Sequence, residues 1–159
     1  MRIALAFDHA GVPFVDTVGA AIREAGHEAV DLGTYDDYPD AALLAGRAID
    51  AGEAERAILV CGSGAGVAVA ASKLPGIRAS IGHDTYTAAQ CVAHDDCNVL
   101  CVGSRVIGPA YAAACITAFV RAEFSGEERH VRRLHKIEQL ERQGFDAELP
   151  TTREELKTS

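Results

Sequence analysis

The stretch Ala57-Ile58-Leu59-Val60-Cys61-Gly62-Ser63-Gly64-Ala65-Gly66, continued by Val67-Ala68-Val69-Ala70-Ala71-Ser72-Lys73, decides the fold. An unbroken apolar run reads as a strand buried on both faces, as in a parallel sheet. The glycine-rich loop after it opens an alanine-rich helix. Cys61 therefore stands at the carboxyl end of a strand, the edge at which open α/β sheets hold their ligands. Main-chain N–H groups at a helix start favour negative charge. A sulfur beside a nest of amide donors suits chemistry in which an oxygen becomes negative.

On either side of this segment, apolar runs alternate with helical patterns. The pattern predicts strands over Arg2–Asp8, His27–Gly33, Arg56–Gly62, Ile77–His83 and Asn98–Gly103. Helices are expected over Val12–Ala25, Asp40–Ala51, Gly64–Lys73, Thr85–His94 and Pro109–Phe124. Gly11 before Pro13 marks a helix start and Gly26 a helix stop. Serial β-α units imply a parallel sheet covered on both faces, with right-handed crossovers. The Pro109 helix is apolar nearly all round, which points to burial on more than one side and to a subunit interface. A charged helix is expected over Glu127–Gln143. One domain is expected over 1–145, with a polar tail over 146–159 that is loosely held or only partly helical.

Bulk properties narrow the function. The chain has 159 residues, enough for one domain that buries roughly two thirds of its unfolded surface. Its net charge of −8 weighs against general affinity for nucleic acid or anionic membrane. The apolar run Ile3–Phe7 is too short for a signal peptide, and no stretch reaches transmembrane length. Five cysteines, an odd number, suit reduced thiols and a cytoplasmic protein better than a disulfide framework.

Several residues compete between a structural and a chemical role. Cys61 is either a small buried hydrophobe or a reactive thiol. Gly62, Gly64 and Gly66 lack the spacing of a dinucleotide fingerprint and the lysine ending of a Walker loop. Asp8 could cap the helix that follows the first strand, with His9 solvated, or both could face a ligand. His94 could be a surface histidine favoured by a helix C-terminus. Cys91, His94, Cys97 and Cys101 match no paired zinc pattern, so no metal is expected. Arg129 and Arg133 lie four apart on one helical face. They repel one another slightly unless an anion such as phosphate bridges them, or they join a mixed surface with Glu127 and Glu128. Arg105, just past the fifth strand, is a further anion contact.

The segments Asp8-His9-Ala10-Gly11, Gly33-Thr34-Tyr35, Asp37-Tyr38-Pro39-Asp40, Cys61–Gly66, His83-Asp84-Thr85-Tyr86, His94–Val99, Gly103–Gly108 and Arg129-His130…Arg133 occur in this order. Together they resemble the ribose-5-phosphate isomerase B family over about residues 2 to 143. That family includes galactose-6-phosphate and allose-6-phosphate isomerases. The resemblance implies a Rossmann-like three-layer α/β/α sandwich with a five-stranded parallel sheet and an extra C-terminal helix. It implies an aldose–ketose isomerase without metal or organic cofactor, and a homodimer or homotetramer whose active sites are shared between chains. By the same resemblance Cys61 is the base. Ser63 and the loop of Gly62, Gly64, Ala65 and Gly66 hold the enediolate. His94, assisted by Asp8, opens the furanose ring. His9, Asp95, Asn98, Arg105, Arg129 and Arg133 bind the sugar phosphate.

Some positions differ from the family's usual pattern. Ser63 stands where many members carry threonine, and Asp95 where asparagine is usual. The Gly33–Pro39 stretch is short. Members lacking the cysteine use a glutamate in the following helix, where this chain has Val67. Ribose 5-phosphate is the first substrate implied, with other hexose or tetrose phosphates as alternatives. A non-catalytic sugar-phosphate-binding or thiol redox module is the reading from another class.

Overall fold

The computed structural model describes residues 1–149, so part of the expected tail lies outside the described residues. Met1–Ser125 form one compact unit, and a second begins at Gly126. In the first, the elements run β1 (Arg2–Asp8), α1 (Val15–Glu24), β2 (Glu28–Tyr35), α2 (Tyr38–Asp50), β3 (Arg56–Cys61), α3 (Ala65–Ala71), β4 (Ala79–Ile81), α4 (Thr85–Asp95), β5 (Val99–Gly103) and α5 (Pro109–Arg121). A 3-10 turn over Val12–Phe14 precedes α1. The second unit holds α6 (Glu128–Gln143), followed by a 3-10 turn over Gly144–Asp146.

The five strands are parallel in the order β2-β1-β3-β5-β4, the expected Rossmann-like sheet. Alternation along each strand feeds two cores. Ile3, Leu5 and Phe7 of β1, Ile58 and Val60 of β3, and Leu100 and Val102 of β5 pack with α1, α4 and α5. Ala4, Ala6, Ala57, Leu59, Cys61, Val99 and Cys101 face the other way, against α2 and α3. On that second face the small residues Ala41, Ala45 and Ala48 of α2 meet alanines of the sheet, which lets the layers approach closely.

Boundaries shift where pairing overrides local pattern. β2 continues past Gly33 to Tyr35 because the β1–β2 register slips by one residue between Leu5 and Phe7. Gly33, at φ +96°, lies in that bulge instead of ending the strand. β4 is cut to three residues because it is an edge strand paired with β5 alone, at Ala79, Ser80 and Ile81. Most of the apolar surface of α5 is buried within the chain. Ala112, Cys115, Ile116, Phe119 and Val120 share a core with α1 and α4, while Ala110, Tyr111 and Ala114 remain exposed.

Arg56 ties β3 to the end of α5. Its guanidinium donates to the Phe119 carbonyl at 2.7 Å and the Ala122 carbonyl at 2.9 Å, and it lies 5.3 Å from the centroid of the Phe119 ring. These contacts satisfy carbonyls that the helix end leaves open. Arg56→Met keeps the aliphatic stem and removes the donors. It is expected to lower unfolding stability by about 1.5–3 kcal/mol, measurable by urea denaturation.

Candidate active site

The strand order reverses beside β1: the chain leaves it to form β2 on one side and returns to place β3 on the other. The loops after β1 and β3 diverge at such a point and open a crevice at the carboxyl edge. Here that crevice is a cleft of about 390 Å³, lined by Asp8, His9, Ala10, Tyr38, Cys61, Gly62, Ser63, Gly66, Arg105 and Val106. Its size lies within the range of small-molecule sites.

Cys61 is only 4% exposed, yet it borders the cleft. Its Sγ accepts the Gly64 N–H at 3.1 Å. Gly64 reaches that position with φ +78°, a left-handed conformation that glycine adopts without strain. Ser63 is exposed, and its Oγ accepts the Ala65 N–H at 3.2 Å. Because α3 begins at Ala65, the first-turn amides of Gly66 and Val67 have no intrahelical carbonyl to bond. The loop thus sets one main-chain donor, the Gly64 N–H, directly against the sulfur.

The end of β5 clamps this loop from beside it. The Ser104 N–H donates to the Cys61 carbonyl at 2.9 Å, and the Arg105 N–H to the Gly62 carbonyl at 3.0 Å. The same turn carries the Arg105 side chain into the cleft. Ser104 Oγ donates to the Ala10 carbonyl at 2.6 Å, joining the loops after β1 and β5. His83 Nε2 accepts the Gly103 N–H at 2.8 Å.

Asp8 serves structure and cleft together. One carboxylate oxygen, Oδ1, accepts the Ala10 N–H at 2.9 Å and the Gly11 N–H at 3.0 Å, so Asp8 closes the turn after β1 and does not cap the helix, whose N-cap positions are Gly11 for the 3-10 turn and Phe14 for α1. The residue also lines the cleft. His9 Nδ1 donates to the Asp36 carbonyl at 3.0 Å. A carbonyl only accepts, so the Nδ1 atom carries the proton, and a neutral ring keeps Nε2 as an acceptor.

The remaining candidates lie elsewhere. Gly64 and Ala65 belong to the loop but do not border the cleft. His94 and Asp95 occupy the last turn of α4, outside the cleft lining. The Asn98 carboxamide braces the approach to β5: Oδ1 accepts the Arg78 N–H at 2.9 Å and Nδ2 donates to the Gly76 carbonyl at 2.9 Å. Arg129 and Arg133 lie on α6 in the second unit. There Arg129 pairs with Glu127 at 2.9 Å, an exposed ion pair of small energetic weight. The cysteines singled out for spacing do not converge: Cys91 and Cys97 pack on one side of the sheet and Cys101 on the other. Among the described residues no group of three or more potential ligands is arranged to hold a metal ion.

Tyr38, Val106 and His83 were not among the residues assigned roles from the sequence. Tyr38 starts α2 and lays its ring over Gly66, where an added Cβ would meet it at 3.2 Å. Both Tyr38 and His83 fall within segments that carry the family resemblance, which was the available signal. Val106 had none beyond its place next to Arg105.

A parallel sheet with a thiol, an arginine and a glycine-rich loop at its switch point defines a Rossmann-like protein with a small cleft that carries one cation. The comparisons sharpen that class. A family model described as Ribose/Galactose Isomerase matches residues 3–137. The ribose-5-phosphate isomerase B of Escherichia coli (strain K12) is 37% identical over 144 residues, covering 88% of this chain and 96% of that protein. A D-erythrulose-4-phosphate isomerase 2 of Mycolicibacterium smegmatis is 35% identical over 144 residues, covering 86% and 95%. The structure of Trypanosoma brucei type B ribose 5-phosphate isomerase superposes with a TM-score of 0.83 at 44% identity, covering 86% of this chain and 96% of that one. The chain belongs to the ribose/galactose isomerase family, and its class is that of the sugar-phosphate aldose–ketose isomerases.

Proposed function

We propose that the protein interconverts ribose 5-phosphate and ribulose 5-phosphate, with Cys61 as the base. The observation that carries this reading is the Cys61 sulfur, set at the cleft with the Gly64 amide 3.1 Å away and Arg105 on the cleft wall. With the open-chain aldose bound, the Cys61 thiolate takes the proton from C2 and the C1 oxygen gains the charge. Loop amides and the Ser63 hydroxyl stabilise that enediolate where it forms. Return of the proton to C1, with a proton moving from O2 to O1, completes the ketose. Substrate and product are isomers, so the step needs a base and hydrogen-bond donors but no electron acceptor.

Arg105 on the cleft wall is assigned to the phosphate and His9 to the sugar phosphate, and Arg129 and Arg133 of α6 are each assigned a phosphate-binding role. Such remote binding energy orients the reacting carbons. Both units, through residue 145, serve this one activity. His94, with Asp8, opens the furanose ring, and Asp95 and Asn98 meet the sugar. Because His94 and Asp95 lie outside the cleft lining of their own chain, we assign them to the cleft of a second copy. Mixing a Cys61→Ala chain with a His94→Ala chain should then restore part of the activity, and no restoration would remove the shared site. The free thiols suit a reducing compartment, and we place the protein in the cytoplasm. Among the described residues no helix is long and apolar enough to cross a membrane.

A substrate panel tests the reading. Ribose 5-phosphate, D-erythrulose 4-phosphate, galactose 6-phosphate and allose 6-phosphate are compared by kcat/KM, with a Cys61→Ala control. A clear preference for ribose 5-phosphate supports the proposal, and preference for another sugar reassigns the substrate. Binding without proton exchange at the sugar carbons would turn the protein into a binding module. Arg105→Ala is expected to raise KM about 10- to 100-fold with a smaller change in kcat, because one charged hydrogen-bond partner is worth about 1.5–3 kcal/mol. An unphosphorylated sugar should show no such response.

A further inference from the structure

We propose that His83 is a positioning residue that locks the Cys61 loop to the end of β5, and that this lock releases when its imidazole takes up a second proton. The inference rests on the assignment of Cys61 and its loop to catalysis. His83 does not line the cleft, and it acts through Gly103 and Gly64.

The geometry is a short relay of main-chain contacts. Gly82 N–H donates to the Cys101 carbonyl at 3.1 Å, which fixes the chain after β4 alongside β5. The next residue, His83, turns its Nε2 to the Gly103 amide at 2.8 Å. Gly64 packs against both: a Cβ added there would lie 3.2 Å from Gly103 N and 3.3 Å from His83 Nε2. Gly64 in turn gives its own N–H to the Cys61 sulfur. Downstream of Gly103, the Ser104 and Arg105 amides hold the Cys61 and Gly62 carbonyls. One imidazole lone pair therefore anchors the residue from which the loop is clamped, and touches the glycine that faces the sulfur.

Such a bond exists for one protonation state only. An N–H donor requires a bare lone pair on Nε2, so the ring is neutral with its proton on Nδ1. Protonation would set an N–H against the Gly103 N–H, and Gly64 packs against that same atom. Burial pushes the His83 imidazole below its ordinary value, while the adjacent Asp84 carboxylate opposes the shift. Asp84 is itself committed as the α4 cap, accepting from Thr87 N and Thr87 Oγ1 at 2.7 Å each, and its charge also reaches the Cys115 thiol of α5. From β5 and the Cys61 loop, the ring meets the uncharged main chain of Gly103 and Gly64. With the folded value below the unfolded one, stability from this group is full above about pH 6.5. It is lost as pH falls from there through the folded value.

Two variants separate the lock from mere packing. His83→Gln supplies an acceptor that does not titrate, and His83→Phe fills the space without one. His83→Phe is expected to lower kcat about 10- to 100-fold with KM changed less than about twofold. His83→Gln should keep most of the neutral-pH kcat and move the acid limb of the kcat profile to lower pH. In the substrate-free wild type, the Gly103 and Gly64 amide resonances should titrate together with the His83 ring, and should not do so in His83→Gln. A Gly103 amide indifferent to His83 ionisation, or a His83→Phe enzyme with wild-type kcat and pH profile, would overturn the proposal. If His83→Phe does not fold, His83→Gln and the amide titration still decide. A wild type that isomerises none of the sugar phosphates would sink the catalytic assignment instead, while the amide titration would still report on the lock.

Discussion

Cys61→Ser is expected to fold as the wild type does and to lose turnover by roughly 10²–10⁴-fold, the usual weight of a general base. Serine keeps an acceptor for the Gly64 N–H that now meets the sulfur at 3.1 Å, so the loop geometry survives. A hydroxyl is a far weaker acid than a thiol, so its conjugate base is absent near neutral pH. The loss should fall on kcat, because the residues proposed to hold the phosphate are untouched. Cys61→Ala should lose as much activity, and it also removes the acceptor of the buried Gly64 N–H. Steady-state kinetics beside thermal unfolding and circular dichroism checks both variants. If Cys61→Ser retained turnover within about tenfold of wild type, another group would have to be the base. Val67 is fully buried and apolar and offers no titratable group to take over as base.

The second large effect is expected at Gly103, which does not line the cleft. A Cβ there would lie 2.5 Å from the Ser63 carbonyl carbon, 2.7 Å from its oxygen and 2.7 Å from Val106 Cγ2. Two of those three atoms are main chain of the loop after Cys61, which has to shift to admit a methyl group. Gly103→Ala should therefore destabilise the protein by about 1–3 kcal/mol, the usual result of overpacking. The displaced loop carries the donors proposed for the enediolate, and a misplacement near 1 Å costs about 100-fold in rate. The expected outcome is a folded variant with a lower Tm and a kcat reduced by about two orders of magnitude. A destabilised variant with undiminished kcat would show that the loop tolerates displacement, and would weaken the account of its preorganised amides.

Legibility in the sequence followed burial. β1, β3 and β5 were readable because both faces are covered and the apolar runs are continuous. β4 was overestimated because Ile77 and Arg78 look strand-like, yet they belong to the connection braced by Asn98 and Asp96. β2 was cut short at Gly33 because a bulge and a strand end share the same residue type. The apolar pattern of α5 mixes two faces, one packed against α1 and α4 inside the chain and one, with Ala110, Tyr111 and Ala114, left exposed.

The chemistry divides in the same way. Sequence alone determined a parallel α/β sheet and a cysteine at a strand end before a glycine-rich loop, and its ordered motifs, through their resemblance to a known family, implied sugar-phosphate isomerisation. These are local patterns of polarity and turn residues, and they are written contiguously in the chain. Only the tertiary structure decided that Asp8, Cys61 and Arg105 share one cleft, because strand order is fixed by packing between layers and not by spacing. It also brought His83 to Gly103, 20 residues away, through a side chain that meets a main-chain amide. An amide donor has no residue identity to read, so no pattern of letters announces such a bond.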